Sequence, residues 1–206
     1  MIFDSSCASQ YEALIGCDEV GRGSLCGPVV VAAVWFEPAD IPPRLLDELD
    51  DSKLLSKSTR SRLAGEILSV ARIAIASSSS KEIDKFGIRA MTLSAMSKAI
   101  MRLNIQAPVR VDGLDVPPGI PLPTIAVVKG EQKIPQIAAA SIVAKVKRDE
   151  MMARLSTRFP EYGWERNCGY GTKEHISAIY QYGPTIHHRM SFAPVSQLRL
   201  DLGAAN

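Results

Sequence analysis

Four acidic residues are the strongest candidates for chemistry in this sequence of 206 residues. Asp18 and Glu19 are adjacent at the end of a short apolar segment, Asp112 ends another such segment, and Asp149 lies within a long helical pattern. Charged side chains are rarely placed beside apolar walls without a partner. Considered singly, however, Asp18 can cap a turn, Glu19 can face solvent, and neither of the other two acids is unusual.

Carboxylates from separate segments can converge, because sites in open α/β sheets form where the chain leaves the ends of strands. Two carboxylates about 5 Å apart repel each other by roughly 3 kcal/mol at an effective dielectric constant of about 20. A cluster of four therefore requires protons or bound cations. Carboxylate oxygens favour Mg²⁺ or Mn²⁺, and a site with two such ions is suited to phosphodiester hydrolysis. The four acids thus predict a metal-dependent hydrolase of phosphodiesters.

A glycine-rich turn, residues 21–27, follows the acidic pair directly. Its spacing, G-x-G-x-x-x-G, is not that of a dinucleotide-binding loop, and Pro28 and a β-branched run stand where a helix should begin. Gly21 and Gly23 would instead let the chain bend, so that both acids face one site, and would let the backbone approach a sugar. Arg22 between them can meet a phosphate. A plain structural turn is the alternative.

The elements that must position these residues follow from the apolar patterns. Strands are predicted at residues 12–18, 29–36, 73–76, 109–111 and 124–128, and helices at residues 58–71, 91–103, 137–159 and 173–182. Residues 37–51 are predicted to form a surface loop with a short helical turn, and the serines at 77–80 a loop. Strands that alternate with helices indicate an α/β layer fold. We expect one domain, residues 1–206, with the strand-poor residues 160–206 as a C-terminal helical appendage.

Composition and charge exclude several classes of protein. The chain has 24 Lys and Arg against 22 Asp and Glu and is 46% hydrophobic, which is typical of a folded domain. The net charge of +2 is too small to indicate a nucleic-acid partner by itself. The longest apolar run, Val29–Phe36, is far shorter than the roughly 20 residues of a membrane span, and the first residues lack the features of a signal peptide. A cytoplasmic protein without membrane attachment is therefore expected.

The cysteines and histidines do not form a recognisable metal-binding motif. The four cysteines lack C-x-x-C spacing, so reduced thiols are expected rather than a zinc site or a disulfide framework. His175, His187 and His188 have no cysteine or acid at ligand spacing, and we interpret them as structural or close to the substrate. Basic residues of the C-terminal third either bind phosphates or solvate helices; they are Lys145, Lys147, Arg148, Arg154, Arg158, Arg166, Lys173 and Arg189.

The segment GCDEVGRGSLCGPVV at residues 16–30 resembles the N-terminal signature of the ribonuclease HII family. Further motifs resemble those of the family in the same order along the chain. They are DSK at residues 51–53, VDG at 111–113, VKG at 128–130, IAAASIVAKVKRD at 137–149, GYGT at 169–172 and HRMSF at 188–192. The resemblance covers about residues 14–195, and an ordered set of this length is highly specific.

The resemblance implies a ribonuclease H-like α/β fold, a five-stranded mixed sheet flanked by helices with a C-terminal helical region. It implies that Mg²⁺ or Mn²⁺ ions are bound by Asp18, Glu19, Asp112 and Asp149. Residues 21–23 would sense the ribose 2′-hydroxyl and its phosphate, and Tyr170 would stack on the sugar after an RNA-to-DNA junction. Further positions expected near substrate are Lys53, Lys129, Ser141, Lys145 and Arg189.

The activity implied by the resemblance is two-metal-ion hydrolysis of the RNA strand of RNA/DNA hybrids. Nicking 5′ of ribonucleotides embedded in duplex DNA is also implied, with 3′-hydroxyl and 5′-phosphate ends. One alternative is a ribonuclease HIII-type nuclease, which carries an extra N-terminal domain. The roughly dozen residues before the first predicted strand leave no room for such a domain. Another is a non-catalytic hybrid-binding module. We expect a monomer, and residues 197–206 offer no convincing motif for a sliding clamp or polymerase partner.

Three positions depart from the family's usual residues. Ser24 stands where proline is common, Leu54 where a second lysine usually follows Asp-Ser-Lys, and Glu131 where an aspartate usually follows Lys-Gly. None of them is one of the four predicted ligands. We therefore expect these changes to affect affinity for the substrate and not to remove activity.

Overall fold

The computed structural model of the protein describes residues 3–50 and 52–197. Its strands are β1 (Leu14–Val20), β2 (Val29–Phe36), β3 (Arg72–Ser78), β4 (Val109–Asp112) and β5 (Thr124–Val127). They form one sheet in the order β3-β2-β1-β4-β5. The pairs β1–β2 and β2–β3 are antiparallel, whereas β1, β4 and β5 run parallel to one another. The predicted five-stranded mixed sheet is therefore confirmed.

Helices cover both faces of this sheet. They are α1 (Pro43–Glu48), α2 (Lys57–Val70), α3 (Ser80–Phe86), α4 (Ile88–Leu103), α5 (Pro135–Ser156), α6 (Trp164–Asn167) and α7 (Lys173–Tyr182). Successive residues of β2 point to opposite faces of the sheet. Ala32 packs in one apolar cluster with the alanines of α5, and Val31 in another with Ala95 of α4. Two cores thus hold the sheet between α5 and α4.

The serine run at residues 77–80 is not the predicted loop. Its first two residues end β3, and Ser79 caps α3, a helix that the sequence analysis missed. The Ser79 hydroxyl accepts a hydrogen bond from the N–H of Glu82 at 3.3 Å, and the Glu82 carboxylate accepts one from the N–H of Ser79 at 2.8 Å. This reciprocal capping box starts the helix without an apolar run before it. The other predicted strands and helices are present, with ends shifted by a few residues.

Gly16 lets α5 lie directly against β1. A Cβ atom at this position would stand 2.2 Å from the carbonyl carbon of Gln136, which no side chain can tolerate. The Gln136 amide in turn donates to the carbonyl oxygens of Glu12 at 3.0 Å and Phe36 at 3.3 Å. The first turn of α5 is thereby fixed across β1. The next turns pass the end of that strand, where the acidic pair lies.

The C-terminal region packs as a third apolar cluster around the fully buried Trp164. Leu25 belongs to this cluster, so the region rests on the glycine-rich turn. A single bridge, Cys26–His188, is its only β pairing outside the named strands among the described residues. Asp84 of α3 accepts hydrogen bonds from the N–H groups of Met190 and Ser191, both at 2.9 Å. The region is therefore attached to the turn and to α3.

Some sequence predictions concern parts of the chain that are only partly described. Asp51 of the Asp-Ser-Lys motif and residues 198–206 lie outside the described residues. Cys7, Cys17, Cys26 and Cys168 are free thiols, and Cys17 and Cys26 are buried. Within the described ranges, no helix has both the length and the apolar character needed to cross a membrane.

Candidate active site

Acidic residues lie at the ends of three neighbouring parallel strands, or in the turn that follows, at the same edge of the sheet. Cys17 of β1 pairs with Val111 of β4, so Asp18 and Asp112 are the next residues on adjacent strands. Asp112 pairs with the last residue of β5, and Glu131 follows in the 3₁₀ turn Gly130–Gln132. Because the carboxyl ends of parallel strands meet at one edge, these side chains converge although they are far apart in sequence.

The acids line a cleft of about 350 Å³. Of the predicted site residues, those that line the cleft are Asp18, Glu19, Lys53, Asp112, Ser141, Lys145 and Tyr170. Val20, Ser52 and Glu131 complete the wall. Most of the predicted site is therefore one continuous surface.

Asp18 and Glu19 share the cleft without a bend between them. β1 continues through both residues and pairs with β2 as far as Val20. On its other side, the pairing with β4 ends at Cys17, so the edge of β1 is open beyond that residue. Both side chains line the cleft beside this unpaired part of β1. The bend predicted from the glycines begins only after the pair, at Gly21, whose φ is +90°.

Burial makes negative charge costly in this cleft. Asp18 is only 7% exposed, and burial, together with the charges of Glu19 and Asp112, raises its pKa well above the ordinary value. Burial and Asp112 also raise the pKa of Glu19, against the opposing effect of Arg22, whose guanidinium lies 3.3 Å from the Glu19 carboxylate. The Ser141 hydroxyl and the N–H of Glu19, at 2.7 Å, stabilise ionised Asp18. These contacts only partly offset the repulsion.

A divalent cation fits this set of donors. The four acidic side chains that line the cleft offer carboxylate oxygen atoms, the ligands that Mg²⁺ and Mn²⁺ prefer. Among the described residues, no three such side chains are already arranged to hold one ion together. Carboxylates that repel one another stand apart until a cation neutralises them. Ion binding would therefore draw these side chains together.

Asp149 does not lie where it was predicted. It is absent from the cleft wall, and its carboxylate accepts a hydrogen bond from Nζ of Lys145 at 2.8 Å. Ser141, Lys145 and Asp149 follow one stripe of α5, and a helix rises about 1.5 Å per residue, so Asp149 stands about 12 Å beyond Ser141 along the helix. It borders the cleft through Lys145 without lining it. This placement does not support Asp149 as a ligand beside the other acids.

Glu131 takes the fourth acidic position in the cleft instead. It is 9% exposed and follows β5 as Asp112 ends β4. In the sequence, Glu131 stands out only as a departure from a family motif. The signal that identifies it is similar to that for Asp112: an acid at, or within a few residues of, the end of a strand in a parallel part of the sheet.

The two outer glycines of the Gly21-Arg22-Gly23 turn have different roles. Gly21 is buried, and a Cβ there would lie 2.1 Å from Nε of Arg148, so the fold itself requires glycine. Gly23 is exposed, and a Cβ there would meet no atom within 4 Å. Gly23 thus offers an open surface beside the cleft. Arg22 is half exposed and pairs with Glu19.

Two arginines expected at the surface are buried beneath this turn. Arg189 is 0% exposed and donates to the carbonyl oxygens of Gly21, Arg22 and Gly27. Arg148 is also 0% exposed and donates to three carbonyl oxygens and to the hydroxyl of Ser24. Neither guanidinium reaches the surface, so these two arginines neither bind phosphates nor solvate helices, the two roles that the sequence left open.

The remaining predicted residues have mainly structural surroundings. His175 accepts from the indole N–H of Trp164 at 2.9 Å, and its ring contacts that of His188 at 3.1 Å. Burial lowers the pKa of His175 and lowers that of His188 to about 4, so both are neutral near pH 7. Lys129 is exposed and outside the cleft wall, but the N–H of the next residue, Gly130, holds Asp112 at 2.8 Å.

Comparisons with known proteins place the chain in one family. A sequence model of the family described as Ribonuclease HII matches residues 15–195. The ribonuclease HII of Paramagnetospirillum magneticum is 52% identical over 186 residues, which are 90% of this chain and 92% of that protein. The crystal structure of ribonuclease H2 from Pyrococcus horikoshii aligns with a TM-score of 0.79 at 25% identity and covers 93% of this chain and 99% of that one. A structure of the PCNA:RNase HII complex from Archaeoglobus fulgidus aligns with a TM-score of 0.75 at 29% sequence identity. The alignment covers 88% of this chain and 95% of that one. The chain therefore belongs to the ribonuclease HII family, and it is a metal-dependent endoribonuclease of ribonuclease H type 2 that acts on RNA/DNA hybrids.

Proposed function

We propose that this chain hydrolyses the RNA strand of RNA/DNA hybrids and nicks duplex DNA on the 5′ side of embedded ribonucleotides. The products would carry 3′-hydroxyl and 5′-phosphate ends. The observation that carries the proposal is the cleft itself, in which four carboxylates stand next to a turn whose Arg22 and Gly23 are exposed. Carboxylates suit metal-assisted phosphodiester chemistry, and an open backbone turn suits a ligand distinguished by one hydroxyl group.

The carboxylates that would hold two Mg²⁺ or Mn²⁺ ions are Asp18, Glu19, Asp112 and Glu131. When bound, the ions supply an activated water and stabilise the leaving 3′-oxygen. The chain's own contribution is to hold the ligands ionised and oriented. The N–H of Glu19 and the Ser141 hydroxyl fix Asp18, and the N–H of Gly130 fixes Asp112.

Lys145 and Lys53 would bind the phosphates of the cleaved strand. Both line the cleft, and the ammonium group of Lys145 is held at 2.8 Å by Asp149. In this proposal Asp149 orients a phosphate-binding lysine and does not touch an ion. Ser52 supports the same wall, since its hydroxyl lies 2.8 Å from that of Ser141.

Tyr170 would stack on the sugar that follows the RNA-to-DNA junction. Its ring lines the cleft, with Lys145 Nζ 5.9 Å and Arg148 Cζ 5.5 Å from the ring centroid. We expect Tyr170→Ala to weaken junction binding by about 1–3 kcal/mol, the range for loss of an aromatic stacking contact. Tyr170→Phe keeps the ring and should bind nearly as the wild type does. Fluorescence anisotropy with a labelled junction duplex measures both, and wild-type affinity for the alanine variant would contradict the role.

The exposed backbone at Gly23 would approach the ribose. Gly23→Val is expected to lower kcat/KM on a duplex with one ribonucleotide by about a hundredfold, because displacing a substrate by about 1 Å can cost that much. The free energy of unfolding should change by only about 0.5 kcal/mol, since Gly23 is exposed and a Cβ there meets no protein atom within 4 Å. Gly21→Ala is the contrasting variant, because its Cβ would collide with Arg148 and destabilise the fold. Unchanged cleavage by Gly23→Val would remove the turn from recognition.

Cleavage of end-labelled duplexes tests the proposal as a whole. The substrates are a duplex with one ribonucleotide, one with several, and an all-DNA control, each with Mg²⁺, with Mn²⁺ or with a chelator. We expect metal-dependent nicking 5′ of the ribonucleotides and an intact control. Binding of the hybrid without metal-dependent nicking would instead identify a non-catalytic hybrid-binding module.

A further inference from the structure

Arg189 has an unusual set of partners for a buried cation. Its described hydrogen bonds all end on backbone carbonyl oxygens: Gly21 and Arg22, both at 2.7 Å, and Gly27 at 3.0 and 3.2 Å. Burying a guanidinium is costly, but an apolar side chain in its place would leave these carbonyl oxygens without a donor. Arg189 therefore fixes the directions of these carbonyl groups in addition to filling space.

Two of these carbonyls belong to the glycine turn, and their direction fixes the direction of two N–H groups. A trans peptide unit is planar, with its C=O and N–H pointing to opposite sides. The peptide bonds Gly21–Arg22 and Arg22–Gly23 are trans, since the only cis bond among the described residues is Ala193–Pro194. Both carbonyl oxygens point inward to Arg189. The N–H groups of Arg22 and Gly23 consequently point outward, away from the guanidinium.

The outward side of the turn is open. Arg22 and Gly23 are exposed, and no heavy atom lies within 4 Å of an ideal Cβ at Gly23. Within the described part of the chain, the hydrogen bonds made by these two N–H groups do not include any backbone acceptor outside the regular elements. The turn thus presents two adjacent donors on its open side, next to Glu19 of the cleft, with which the Arg22 side chain pairs.

We propose that Arg189 is a positioning residue that sets discrimination between ribose and deoxyribose. By holding two carbonyls inward, it aims the N–H groups of Arg22 and Gly23 at the 2′-oxygen of the ribonucleotide. The inference rests on the proposed function, because it assigns the acceptor to the substrate of that site. A phosphate oxygen has the same acceptor chemistry, so the test separates the two sources.

The first experiment compares the wild type with Arg189→Lys. A lysine keeps the positive charge, but its ammonium group lacks the planar set of donors with which the guanidinium bonds the carbonyls of Gly21, Arg22 and Gly27. The readouts are KM for a duplex with one ribonucleotide and the inhibition constant Ki of an all-DNA duplex of the same sequence. We expect KM to rise about tenfold or more, as for the loss of well-aligned hydrogen bonds, while Ki stays within about twofold. Val195→Ala is the matched control, since Val195 is buried in the same C-terminal cluster.

Other changes in KM and Ki would overturn the proposal or the proposed function. Equal rises in KM and Ki would assign the donors to phosphate and overturn the proposal, as would an unchanged KM. A wild-type enzyme that does not cleave the ribonucleotide duplex would overturn the proposed function, which this assay reveals separately. A rise in KM for Val195→Ala equal to that for Arg189→Lys would overturn the proposal by showing a merely structural effect.

A second pair of variants applies if Arg189→Lys fails to fold. Gly23→Pro removes the N–H donor, whereas Gly23→Ala keeps it, and both side chains point into open space. The ratio of Ki to KM should be about tenfold lower for the proline variant than for the alanine variant. Equal ratios would overturn the proposal without any change to Arg189.

Discussion

Exchanging Asp18 for asparagine is expected to abolish cleavage of a duplex with one embedded ribonucleotide while leaving binding measurable. The side chain is the most central of the cleft acids, because its pKa responds to both Glu19 and Asp112. Metal assistance supplies several kcal/mol of barrier lowering, and about 1.36 kcal/mol corresponds to a tenfold rate change. A loss of about a thousandfold or more in kcat follows. Single-turnover cleavage with Mg²⁺ measures it, and retained turnover would refute the role of Asp18 as a ligand.

The same substitution should stabilise the metal-free protein at neutral pH. The folded-state pKa of Asp18 is raised, so its contribution to stability is present below the unfolded-state pKa and is lost as the pH rises through the folded-state value. Asparagine does not ionise, so the variant does not lose this stability as the pH rises. We expect the free energy of unfolding to increase by about 1–2 kcal/mol at pH 7, the usual size of such gains at strained sites, and the two proteins to converge at acid pH. Urea unfolding with chelator present checks both statements.

Glu131→Gln and Asp149→Asn should have very different effects on cleavage. Glu131 lines the cleft beside the other acids, whereas Asp149 contacts Lys145 outside the cleft wall. Loss of a metal ligand should lower kcat by about a hundredfold or more. Loss of a partner that only orients a lysine removes a partly buried ion pair and should lower kcat/KM by about tenfold or less. Cleavage rates measured over a range of Mg²⁺ concentrations separate the two roles.

Glu131→Asp is the matched control for this pair. It keeps the carboxylate and restores the residue that usually follows Lys-Gly in the family, so we expect activity within about tenfold of the wild type. If Asp149→Asn were the inactive variant and Glu131→Gln remained active, the assignment drawn from the cleft would be wrong. The assignment first made from the sequence motif would then hold.

The order of strands and helices could be predicted from the sequence because apolar runs and glycine or proline breaks mark them clearly. Asp18 and Asp112 could be placed at strand ends for the same reason. α3 was missed because a capping box starts it, and a run of serines gives no apolar signal. The ends of elements shifted by a few residues, as hydrogen bonding and not the apolar pattern decides where an element stops.

The partition of charged residues between surface and interior could not be predicted from the sequence. Arg148 and Arg189 look like surface cations, yet carbonyl oxygens from distant segments surround both. Asp149 shares a helical stripe with Ser141 and Lys145, so periodicity alone placed it in the site. In the structure it pairs with Lys145 and is not part of the cleft wall. Glu131 emerged only when the parallel pairing of β4 and β5 was known.

Arg189 enters the chain 168 residues after Gly21, whose carbonyl it holds. During synthesis from the N-terminus, all four acids of the cleft, ending with Glu131, are made well before this arginine. A domain generally folds as a unit, so the gathered carboxylates and the supported turn both form only after Arg189 has been made. Under the proposal for Arg189, the chain acquires the means to cut and the means to choose what it cuts together.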